Sequence, residues 1–143
     1  MDEVVKAARR AQIQAELPPL RHSRDDNTIT RNRLNVQIED LRRARDQLRD
    51  CINRMRDVVR NVRNCHGVVP RRDFRGSRRT RIEGRLERAS GRVDSQRDRH
   101  IRNRERVISR IESVRDARNR LNTTIGMQNS RINALETELR GLW

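Results

Sequence analysis

Six arginines crowd one short stretch of this chain: Arg71, Arg72, Arg75, Arg78, Arg79 and Arg81, set against Asp73 alone. A guanidinium carries a permanent charge and a planar fork of donors, so such a cluster suits phosphates and carboxylates. Cations near a helix N-terminus oppose the helix dipole, so stability alone gives no reason to gather them where the next helix should begin. The cluster is therefore the candidate anion-binding site, and the partner it implies is a nucleic acid or an acidic protein surface. The whole chain has the same sign. It holds 35 Lys and Arg against 20 Asp and Glu, a net charge of +15 over 143 residues, and Lys6 is its only lysine. The competing reading is that arginine merely solvates outer helix faces, which the acids interspersed along the helices favour.

Other chemistry is sparse. The sequence has no glycine-rich phosphate loop, no HExxH, no paired Cys-x-x-Cys and no G-x-S-x-G elbow. His22, His66 and His100 are scattered, and Cys65 and His66 are adjacent rather than spaced as metal ligands. No catalytic residue, cofactor or metal is expected, and the chain reads as non-enzymatic. Cys51 and Cys65 lie two heptads apart, about 21 Å along one helix, beyond the reach of a disulfide within it. A link between chains stays open. No zinc finger or helix-turn-helix is present. With Phe74 and Trp143 as the only large aromatics there is no stacking platform for single strands, so nucleic-acid binding would be non-specific.

The elements that position these residues are long helices. Hydrophobic residues make up 32% of the chain and charged residues 38%, which is thin for a globular core but sufficient for a seam between two helices. Leu34, Leu41, Leu48, Met55 and Val62 form one heptad row, and Ile38, Ile52 and Val59 form a second, interrupted by Arg45, which is expected to snorkel to the seam edge. Residues 2–16 read as a short helix stopped by Pro18 and Pro19, with a linker over 18–28. Helix one is then expected over about 29–65, a turn over 66–77, and helix two over about 78–141 with a Thr80–Glu83 capping box at its start. Inward-facing Arg97, His100 and Arg104 predict a kink near 91–104. The resulting fold class is all-α: an elongated, coiled-coil-like antiparallel helical hairpin over 29–143, preceded by a separate segment over 1–28.

Length then matters. Helix one, about 54 Å long, covers only part of helix two, at about 96 Å. The overhang leaves Leu121, Ile125, Ile132, Leu135, Leu139, Leu142 and Trp143 as an apolar stripe in a nearly neutral segment. Such a stripe marks an association site. Three covers are open: the N-terminal helix, a doubling back of helix two, or a second chain. The second chain is favoured, as a homodimer or a helical protein partner. No apolar run approaches the roughly 20 residues of a membrane span. The acidic N-terminus without an uninterrupted apolar core predicts no cleavable signal peptide, so a soluble protein is expected.

Two antiparallel helices joined by Phe74-Arg75-Gly76, with Ile82 six positions after the glycine and a long C-terminal helix rich in Ile and Leu, resemble the small helical-hairpin proteins of type VII secretion. These are the Trp-x-Gly family and the longer partners of LXG toxins, and Phe74 stands where that family carries Trp. The resemblance covers about residues 29–142. It implies a secreted or toxin-associated partner that dimerises along its helices. A structural or packaging protein of a virus particle or another large assembly is the alternative that the arginines suggest.

Overall fold

The computed structural model describes residues 2–68 and 76–143, and the side chains of all of these except 66–68. Two helices make up the described chain: α1 (Glu3–Val68) and α2 (Ser77–Gly141). They pack against each other as an all-α hairpin. Gly76 adopts φ +73°, a left-handed conformation that glycine reaches without a Cβ penalty, and α2 starts at the next residue. Thr80 lies inside the helix and its hydroxyl donates back to the Gly76 carbonyl at 3.4 Å, while Glu83 accepts from Arg79. The expected Thr80–Glu83 capping box is therefore not formed.

Two other expectations are corrected. Pro18 and Pro19 do not stop the first helix; both lie inside α1, and residues 3–17 are its opening turns. A proline in a helix interior removes a donor and costs about 3 kcal/mol. Here the two rings are exposed, while Leu17 and Leu20 on either side pack inward against α2. Burial holds the helix together where propensity opposes it, because most helical stability in proteins comes from tertiary packing. The kink or loose section expected near 91–104 does not interrupt α2, which is helical through those residues.

The chain divides into two compact units, residues 1–39 with 112–143 and residues 40–111. The first, the terminal unit, carries the best-packed core. Ile13, Leu17, Ile132 and Leu135 form a buried cluster, with Leu20, Leu139 and Leu142 packed against it. Ile38, Val114 and Ile125 are buried in the same unit. Ion pairs tie its two helices along the rim: Arg9 to Glu138, Glu16 to Arg131 and Arg21 to Glu136. Between them, Gln128 donates to the Ser23 hydroxyl at 3.0 Å and accepts from the Asn27 amide at 3.2 Å. The second, the turn unit, buries Ile52, Val59 and Ile111 among the described residues. Arg45, at a seam position, is half-exposed and pairs with its neighbour Asp46 at 3.1 Å.

Candidate anion and partner surfaces

Of the six arginines in the candidate anion site, Arg71, Arg72 and Arg75 lie outside the described residues, as do Asp73 and Phe74 of the turn. The other three occupy the first turns of α2. Arg79 donates from Nε to Glu83 Oε1 at 2.8 Å, which neutralises it locally. Arg78 and Arg81 are exposed.

The apolar stripe proposed for a partner is covered within the chain. Leu135 is 0% exposed, Ile132 and Ile125 are buried, and Leu121, Leu139 and Leu142 are half-buried. The cover is the start of α1, made available by the helix that continues through the two prolines. Of the seven residues only Trp143 is largely exposed, at 81%, with the Arg10 guanidinium 4.8 Å over its ring. The expectation of an overhang open to a second chain is overturned by this burial.

The charge is unevenly divided. Residues 40–111 hold 23 arginines against 10 acids, whereas 1–39 with 112–143 hold 12 basic residues against 10 acids. Nearly all of the +15 therefore belongs to the turn unit. Within that unit, charges on α2 sort by face. Arg81, Arg85, Arg88, Arg92, Arg99, Arg106 and Arg110 recur at steps of four or seven residues, with one step of three, the spacing of a single helix face. All seven are exposed, and none pairs with a carboxylate among the described residues. Glu83, Glu87, Asp94, Asp98 and Glu105 recur in the same way on another face. Seven of the twelve arginines of α2 in this unit thus share one face, while Arg79 and Arg97 lie beside the acids, against Glu83 and Asp94. A period near 3.6 applied to charge, as it was to apolar residues, separates the row from the acids.

On α1 of the same unit several arginines lie close to acids: Arg43 with Asp40, Arg49 with Asp46 and Arg60 with Asp57, each at i,i+3. Arg63 reaches across to Asp94 at 3.8 Å, and Arg97 sits 3.1 Å from the same carboxylate. Beyond Asp94 the seam turns polar. His100 Nδ1 and Arg104 Nε are enclosed without a hydrogen-bond partner among the described residues. A further strip of α1, Ala44, Gln47, Cys51, Met55, Val58, Val62 and Cys65, carries no charge at all. Both cysteines are free, Cys51 half-buried and Cys65 exposed.

Among the described residues no three His, Cys, Asp or Glu side chains are grouped to hold a metal ion. No described helix is long and apolar enough to cross a membrane. Gly76 of the Phe74-Arg75-Gly76 turn is left-handed and Ile82 is half-buried; the other two residues of that turn are outside the described chain. No protein-family model, no curated protein and no solved structure matches the chain.

Proposed function

We propose that this protein is a non-enzymatic helical hairpin that binds a polyanion, specifically nucleic acid, through its turn unit, without reading base sequence. The observation that carries the proposal is the charge division: 23 arginines against 10 acids over residues 40–111. An arginine excess of this density repels itself, and a polyphosphate relieves the repulsion by releasing its counterions. The lack of stacking aromatics in the described part of that unit favours backbone contact over base contact. The test is a salt titration of binding to labelled DNA and RNA with nuclease-treated protein. Tight binding that weakens steeply with salt is expected; no binding near physiological salt would remove the proposal.

A second reading, association with a helical partner or a second copy, draws support from the terminal unit. Val4 is 74% exposed, Val5 53% and Trp143 81%. These are apolar side chains left outside a unit whose own core is closed. It is also the behaviour implied by the resemblance to type VII secretion hairpins. Light scattering on Trp143→Ser and Val4→Ser variants tests it: a fall in mass relative to the unmodified protein is expected, and an unchanged mass would exclude this surface.

A further inference from the structure

The two helices of the turn unit run antiparallel, and both are right-handed. Viewed down the pair, one advances clockwise and the other counterclockwise, so flanks reached from the seam by the same angular step along each chain lie on the same side. The Arg63–Asp94 pair fixes which side that is for the charged flanks. The acidic face of α2 shares it with Arg49, Arg56, Arg60 and Arg63 of α1, which recur at helical spacing, and Arg63 meets Asp94 there at 3.8 Å. The other side is formed by the arginine row of α2 and the uncharged strip of α1. Over residues 44–65 that strip supplies no carboxylate to the row.

We infer that this second side is a dedicated nucleic-acid face, on which the arginine row lies along the phosphate backbone. The inference rests on the polyanion-binding proposal and deepens it by naming the surface. From Arg81 to Arg110 the row spans about 44 Å at 1.5 Å per residue. Its seven guanidiniums are exposed, and none pairs with a carboxylate among the described residues. They project from a helix whose spacing is set before binding.

The chemistry selects phosphate over other anionic partners. A protein interface draws its affinity from aromatic and apolar anchors at a desolvated centre. This side has no aromatic and no apolar side chain larger than Met55, and Val58 is 46% exposed on it. A membrane surface needs Trp, Phe or Leu to enter the interface beside the basic residues, and the strip lacks them as well. A repeating row of forks without anchors matches a repeating row of phosphates.

The experiment compares two variants of equal net charge in the full chain. One changes the bare row, Arg85, Arg92, Arg99 and Arg106 to Gln. The other changes paired arginines of α1, Arg43, Arg49, Arg60 and Arg63, to Gln. Glutamine and arginine have similar helix propensity, so both should keep the helical circular dichroism of the parent. For duplex DNA the log–log salt slope should fall in magnitude by about 3–4 in the first variant, at roughly 0.9 per lost phosphate contact. It should change by less than about 1 in the second. A Lys version of the first variant should restore the slope, since charge is kept. Equal losses in both variants would overturn the face while leaving polyanion binding intact. An unmodified protein that does not bind would instead remove the underlying proposal. A first variant that lost its helical signal would hand the decision to the Lys version, whose slope must then match that of the unmodified protein for the inference to stand.

Discussion

Arg9 and Glu138 stand 129 residues apart in sequence and meet through two parallel hydrogen bonds, Nε to Oε1 at 2.6 Å and Nη2 to Oε2 at 2.8 Å. The fork holds the Glu138 carboxyl below its ordinary pKa, chiefly through the hydrogen bond and further through the Arg9 charge, and raises that of Arg9. A depressed carboxylate stabilises the fold above its unfolded pKa, and the contribution disappears as pH falls through the folded value. The raised arginine keeps its contribution everywhere below the guanidinium range, so only the acid limb is observable. Glu138→Gln should therefore lower the urea midpoint at pH 7, and the gap from the unmodified protein should close as pH drops below about 4, the ordinary carboxylate range. A gap that persisted unchanged to pH 2 would show that the substitution acts through something other than the ion pair.

Leu135 provides a second prediction. It is fully enclosed beside Ile13 and Leu17, so Leu135→Ala should cost about 2–5 kcal/mol in chemical denaturation. Leu135→Asp should unfold the terminal unit itself. Were a second chain the only cover for this stripe, the substitution would change mass and leave monomer stability untouched, which equilibrium unfolding followed alongside light scattering distinguishes.

The two prolines give a third. Pro18→Ala and Pro19→Ala each return an amide donor to a helix that already runs through the position. Each should raise stability, by up to roughly 3 kcal/mol, the interior cost of proline relative to alanine. Destabilisation by either would mean that the proline ring itself contributes packing.

A fourth concerns glycine inside α2. A Cβ built on Gly84, Gly91 or Gly126 meets nothing within 4 Å. Alanine at each should add about 0.5–1 kcal/mol by reducing the freedom of the unfolded chain and favouring the helix. Thermal melts of the single variants measure it, and no rise in any of the three would argue against a continuous α2.

Much of the fold was legible in the sequence because it is written in apolar periodicity. The rows through Ile38, Ile52 and Val59, and through Ile111, Ile125 and Ile132, predict two helices with a common seam, and those residues are buried. The end of the first helix near 65–68 and the start of the second near 77–78 follow from Gly67, Pro70 and Gly76. Local rules failed where tertiary burial overrode them. Pro18 and Pro19 are strong breakers in isolation, yet Ile13 and Leu17 before them have a long apolar surface on α2 to cover. A stop at the prolines leaves the C-terminal stripe short of cover, which is why a second chain is the favoured cover on sequence alone; the helix that continues through them supplies that cover within the chain. The charge pattern on α2 is hidden for a different reason: local numbers of arginines and acids do not carry the angle at which each side chain leaves the helix. On the same wheel that places Val93 and Ile111 inward, Arg92, Arg99 and Arg106 fall on one flank and Asp94, Asp98 and Glu105 on the other.

The Ile13–Leu17–Ile132–Leu135 cluster also bears on how the chain finds its structure. Its members from the two helices are more than a hundred residues apart, so the strongest apolar contact closes the longest loop, at an entropic cost about 2 kcal/mol greater than for a ten-residue loop. Zipping outward from the turn avoids that cost but begins in the unit with the fewest buried side chains and the most mutual repulsion. Screening of that repulsion acts on the early pairing, before the terminal core has formed. Refolding should therefore quicken as salt is added, while unfolding, governed by loss of the terminal core, should hardly change.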